Sequence, residues 1–199
     1  NEDFSKYFIR SEYKAAQNGF VQPYADSPMD DEQVGEEVYI SMVNKAEKYC
    51  WFITPYLIIT DEMTHALCLA AKRGIDVRII TPGIPDKKMI YSVTRSFYHG
   101  LVKNGVRIYE WTPGFCHAKM SVADDCMATC GTINLDYRSL YHHFENGCFM
   151  ADCQAVLDIR NDLAATMDEC REVTEQYSTG RSAYLRLGQL FMRLFAGLL

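Results

Sequence analysis

Three short apolar runs, Tyr49 to Thr54, Ile75 to Thr81 and Val106 to Trp111, alternate with longer segments that stop at glycines, Gly74 and Gly105. That alternation constrains the fold more than any other feature of the chain. Short runs rich in β-branched and aromatic residues read as strands. The segments between them carry helical signals: Asp61 caps one that runs to about Arg73, and Lys88 to Asn104 forms a second. Strands alternating with helices imply an α/β fold, a mixed β-sheet flanked by helices on both faces. A further helix spans Val34 to Lys48, with Val38, Met42, Val43 and Ala46 on one side. Phe144 to Met150 adds a strand, and a long helix runs from near Asp152 to about Tyr177. Residues 1–33 read as an irregular linker, because Asp26-Ser-Pro28-Met-Asp-Asp31 has loop composition. Residues 34–199 then form one domain.

The chemistry concentrates in His117-Ala-Lys119-Met-Ser-Val-Ala-Asp124, followed by Gly131-Thr132-Ile-Asn134. Phe115 to Val122 alternates as a strand does, so His117, Lys119 and Ser121 share one face. Asp124-Asp125 makes a turn, Met127 to Cys130 returns, and Thr132 and Asn134 come back beside the first strand. Imidazole, ammonium, hydroxyl and amide then meet at one spot. Histidine accepts a phosphoryl group or shuttles a proton near neutral pH, and lysine supplies a compact charge for a phosphate oxygen. The design calls for no metal and no cofactor. Taken singly, each residue has an ordinary reading: Asp124 as a turn former, His117 as a core histidine, Lys119 as a strand residue reaching water. It is their joint spacing that points to phosphoryl chemistry.

The pattern His-x-Lys-x4-Asp-x6-Gly-Thr-x-Asn resembles the signature of the phospholipase D superfamily. Phe52-Ile-Thr-Pro-Tyr56, Thr81-Pro82-Gly83, Asn134-Leu-Asp-Tyr-Arg138-Ser-Leu, Phe144-Glu145 and Arg193-Leu-Phe-Ala-Gly-Leu-Leu199 are similar to bacterial cardiolipin synthases. The resemblance implies a phospholipase D-like domain and a set of roles. His117 is the catalytic histidine, either nucleophile or acid and base. Lys119, Thr132 and Asn134 hold the substrate phosphate. Asp124 gives structural or electrostatic support, and Glu145 orients the histidine. Tyr56, at a strand exit, is a candidate to line the substrate, beside its plainer reading as an aromatic at a strand end. The family carries two such motifs and this chain one, so the resemblance is to the C-terminal half. The N-terminal half, or a second copy in a homodimer, would supply the other motif.

The implied reaction joins two phosphatidylglycerol molecules into cardiolipin and glycerol through a phosphohistidine. A phosphodiester hydrolase, or a non-catalytic half-domain completing a partner's site, are the alternatives. Net charge of −6 argues against a nucleic-acid partner. The 8 cysteines lack paired CxxC spacing, so zinc is not expected and the thiols read as reduced. No signal peptide is read, and Arg193 interrupts the last apolar run; the resemblance then implies a peripheral location, on the cytoplasmic side of the cell membrane. The segment 182–199 sets Leu187, Leu190, Phe191, Leu194, Phe195 and Leu198 in one stripe with Arg186 and Arg193 opposite. Such a helix lies in a membrane interface or docks on its own domain.

Overall fold

The computed structural model describes residues 2–7 and 18–179. The expected amphipathic helix at 182–199 lies outside the described residues. The elements in chain order are β1 (Phe20–Asp26), α1 (Val34–Lys45), β2 (Tyr49–Ile53), β3 (Leu57–Ile58), α2 (Asp61–Lys72), β4 (Asp76–Pro82), α3 (Lys88–Val102), β5 (Arg107–Trp111), β6 (Met120–Ala123), β7 (Met127–Gly131), β8 (Leu135–Asp136), α4 (Tyr137–Tyr141), β9 (Glu145–Ala151), α5 (Gln154–Glu169), β10 (Cys170–Glu172) and α6 (Thr174–Ser178).

An eight-stranded sheet runs in the order β1-β9-β7-β6-β2-β4-β5-β10. Its centre, β2, β4 and β5, is parallel, as helical crossovers through α2 and α3 require. β6, β7, β9 and β1 extend it as antiparallel neighbours. The sheet changes from parallel to antiparallel where β2 meets β6, with Ile53 opposite Met120.

Alternate strand residues feed two cores. Cys50, Phe52, Val77, Ile79 and Ile108 pack with α1, α2 and α3. Ile53, Ile80, Tyr109 and Val122 face Val156, Leu163 and Met167 of α5. Both faces are therefore covered by helix, as the alternation of strands and helices implied.

The structure departs from the sequence reading at several places. Phe20–Asp26, read as irregular, forms edge strand β1 along the whole of β9. The long helix expected to Tyr177 stops at Glu169, because Cys170–Glu172 pair with Trp111, Glu110 and Tyr109 as β10. Glu110, fully buried, fixes that edge by accepting hydrogen bonds from Arg95 at 2.7 Å and Arg171 at 2.6 Å. Thr60, not Asp61, caps α2, its hydroxyl accepting from the Met63 amide at 3.0 Å. The motif strand begins at Met120 rather than Phe115.

Candidate active site

Five segments converge at one end of the sheet: the exits of β2, β4 and β7 and the entries of β6 and β9. In open α/β sheets this end, where the topology switches direction, is the usual ligand crevice. Although residues 115–119 are not strand, the side-chain alternation continues through them. Cys116, Ala118 and Met120 pack toward α5, which turns His117 and Lys119 to the opposite side.

Lys119 is buried, only 9% exposed. Its ammonium donates to the His117 carbonyl at 2.7 Å and lies 2.8 Å from ring Nδ1 and 3.3 Å from Nε2. An ammonium can donate only to an unprotonated ring nitrogen, so this arrangement favours the neutral imidazole. Burial pushes the His117 pKa down, the Lys119 charge pushes it further, and Asp86 partly opposes both. Burial also lowers the Lys119 pKa, against the opposing pull of Glu145 and Asp136. Two aromatic rings flank the imidazole, Phe115 at 5.9 Å and Tyr56 edge-on at 6.3 Å. The Tyr56 hydroxyl donates to Asp86 at 2.6 Å, and burial together with Asp86 raises its pKa, so it stays protonated. Tyr56 thus stands beside the imidazole and is tied to Asp86 of the loop after β4.

A cavity of about 510 Å³ opens over this pair, lined by His117, Lys119, Thr132, Asn134, Glu145 and neighbours. Its floor is the turn after β7. Gly131 is required there, since a Cβ would sit 2.4 Å from the Asn146 carbonyl of β9. The Tyr39 hydroxyl donates to the Ile133 carbonyl at 2.8 Å and pins the turn to α1. Thr132 and Asn134 thus reach the cavity as the spacing implied.

Three further residues are placed away from the reacting pair. Asp124 does not join the site. It sits at the opposite end of β6, where its carboxylate accepts from the amides of Glu47 at 2.7 Å, Lys48 at 2.9 Å and Tyr49 at 2.8 Å. A short acceptor is needed there because these amides enter β2 without ladder partners. Glu145 lines the cavity but makes no hydrogen bond to His117 among the described residues. It accepts from Thr132 and from the Ser139 hydroxyl at 2.6 Å, with His143 at 3.7 Å. The carboxylate therefore holds the turn that carries Thr132 and Asn134. Ser121 shares the face but not the cavity: its hydroxyl is wholly buried and bonds Thr129 at 2.6 Å.

The sequence reading passed over Ser139, which links the turn together by donating to Glu145 and accepting from the Asn134 amide at 2.8 Å. Its signal was present as Asp136-x-x-Ser139, since the Asp136 carboxylate caps α4 by accepting the Ser139 amide at 3.0 Å. Among the described residues no cluster of histidine, cysteine and carboxylate side chains could hold a metal.

Residues 39–167 match the family described as cardiolipin synthase, PLD-like domain. The chain belongs to that family. Cardiolipin synthase 2 of Bacillus cereus is 34% identical over 181 residues, 91% of this chain and 35% of that protein. Two solved structures show the same fold at low identity. The phospholipase D family member Nuc of Salmonella typhimurium superposes with TM-score 0.66 at 15% identity, over 78% of this chain and 98% of Nuc. Phosphatidylserine synthase of Haemophilus influenzae gives TM-score 0.69 at 16% identity, over 90% of this chain and 47% of that protein. The chain spans well under half the length of the curated relatives it matches, 43% or less for those from Streptococcus mutans and Bacillus cereus. No helix among the described residues is long and apolar enough to cross a membrane.

Proposed function

We propose that this chain supplies one of the two catalytic motifs of a cardiolipin synthase, a phosphatidyltransferase acting on phosphatidylglycerol at the membrane surface. The observation that carries the reading is the His117–Lys119 pair, with the ammonium 2.8 Å from the imidazole under a cavity closed by Thr132 and Asn134. A phosphodiester seated there meets a cation, an amide and a proton-transferring ring together.

In this reading the histidine of the second motif attacks the phosphorus of one phosphatidylglycerol. The bond to glycerol breaks, and protonated His117 gives its proton to the leaving oxygen. The bound phosphodiester anion offsets the Lys119 charge that otherwise keeps His117 neutral. Neutral His117 then takes the proton from the hydroxyl of a second phosphatidylglycerol, whose oxygen attacks the phosphohistidine and releases cardiolipin. Lys119 and Asn134 hold the nonbridging oxygens in both steps. The second motif belongs either to the N-terminal half of a longer protein or to a second copy of this chain. The short span of the chain against its relatives supports the first source.

The test is to incubate the chain, together with the polypeptide carrying the second motif, with phosphatidylglycerol in detergent micelles and to read products by mass spectrometry. Cardiolipin formed by the native chain and lost in His117→Ala is the expected result. Undiminished product from His117→Ala overturns the reading, and phosphatidic acid as sole product replaces it with a hydrolase.

A further inference from the structure

We propose that a second cavity beside the first, between Tyr56, Lys87, Asn134, Asp136, Arg138 and His143, is the acceptor subsite, binding a hydroxyl-bearing phosphodiester headgroup. The proposal rests on the phosphatidyl-transfer reading and identifies where the second lipid enters.

This cavity has a volume of about 200 Å³, enough for a glycerophosphate group but not for an acyl chain. Asn134 lines both cavities and forms their common wall. Tyr56 lines this one while its ring lies 6.3 Å from His117, so a group held here borders the reacting centre.

The lining carries two kinds of chemistry. Lys87, from the loop after β4, and Arg138, from α4, are cations whose side chains have no carboxylate partner among the described residues. Free cations from two elements bordering one cavity suit a phosphate. Asp136 and Asn134 add oxygen acceptors. Asp136 is 7% exposed. Burial raises its pKa, while hydrogen bonds from Ser139, Asn134 and Arg138 work the other way. The Asn134 Oδ1 is buried and has no hydrogen-bond partner in the structure. An unpartnered buried oxygen carries a desolvation cost that a donor entering the cavity removes. Inorganic phosphate has donors only on the charged group itself, which Asp136 repels. A glycerol phosphodiester offers both hydroxyl donors and an anionic phosphate. The hydroxyl that bonds Asn134 Oδ1 stands at the wall shared with the phosphorus-binding cavity. That is where an attacking oxygen must be.

The experiment uses the isotope-labelled 199-residue chain and follows backbone amides by NMR during titration with three water-soluble probes: glycerophosphoglycerol, glycerophosphoethanolamine and inorganic phosphate. Glycerophosphoglycerol is expected to shift two groups of amides, one around His117 and Thr132 and one around Lys87 and Arg138. Glycerophosphoethanolamine, which keeps the glycerol hydroxyls and the phosphodiester, should shift both groups, and inorganic phosphate the first group alone. In the Lys87→Ala, Arg138→Ala double variant, the second group should weaken by about tenfold or more, as expected for losing charge-assisted bonds. A dispersed spectrum of that variant shows that it is folded, and Arg138→Lys alone should retain part of the binding. No shift at Lys87 and Arg138, or shifts that survive the double variant, overturn the subsite. Equal second-group shifts from inorganic phosphate make it a plain anion site and overturn the assignment too. Cardiolipin formation is scored separately with the second-motif polypeptide. Product without second-group binding overturns the subsite and leaves the transfer reading standing. Binding without product overturns the transfer reading, and with it the acceptor role, and leaves only a headgroup-binding pocket.

Discussion

The imidazole of His117 is set by its neighbours rather than by its own chemistry. Burial and the adjacent ammonium both disfavour its charged form, so its midpoint lies below the ordinary 6.5. The sign of the pH effect follows. In the unloaded chain His117 is neutral through the neutral range and gains its proton only as pH falls below that ordinary value. Following the ring proton resonances of His117 against pH should show this depressed midpoint, and Lys119→Ala should move it upward by removing the nearby cation. A midpoint that falls or stays fixed in the variant would refute the electrostatic link. Asp124 invites a different prediction. Asp124→Ala strands three amides at the entrance of β2, and the lost charge-assisted bonds should cost about 2 kcal/mol of stability in urea unfolding. These two residues show what was legible. His117 and Lys119 could be read because strand alternation places residues two apart on one side, a local rule that needs no tertiary knowledge. The partners of Asp124 and Glu145 could not, because those of Asp124 lie some 75 residues earlier in the chain, while Glu145 turned inward to Thr132 and Ser139.

Among elements, the parallel centre of the sheet was readable and its two edges were not. β2, β4 and β5 are buried apolar runs, and their strand character is written in composition. β1 is exposed along most of its length and contains Pro23, so neither alternation nor propensity marks it. Proline is tolerated because β1 is an edge, with β9 on one side alone. At the other edge, Cys170–Glu172 continue a helical pattern without glycine or proline, and only pairing with β5 ends the helix. Tertiary contact overrides propensity there, and Glu110 anchors the result. Its carboxylate is fully buried between Arg95 and Arg171, so removing it leaves two guanidinium groups around an empty space. Breaking a buried charge cluster on one side costs about 3–5 kcal/mol. Because Arg171 is largely exposed, Glu110→Ala should fall near the lower end, about 3 kcal/mol by denaturant titration. Hydrogen exchange should show β10 losing protection before β4 or β2. Uniform loss across the sheet would argue against Glu110 as the local anchor.

At the scale of the whole molecule, the fold puts its chemistry and its structural aspartate at opposite ends of one strand. β6 runs from the His117–Lys119 pair to Asp124, and the sheet between them is closed above and below by helices. The lining of the site contributes one histidine, and the two-step transfer proposed above calls for two. What completes it can be decided by arithmetic. The native chain and His117→Ala are folded together in equal amounts and given a limiting quantity of the polypeptide carrying the second motif. If each site takes one copy of this chain, half the sites receive the inactive copy, and activity should fall to about one half of the native value. If instead two copies of this chain build each site and both histidines are needed, only pairs of native copies work, and about one quarter remains. The chain covers 35% of the Bacillus cereus relative, which leaves room in such a protein for a second domain of comparable size. The expected result is therefore the linear one, with activity proportional to the native fraction across a series of mixtures. A quadratic dependence would transfer the second motif from a different polypeptide to a second copy of this one.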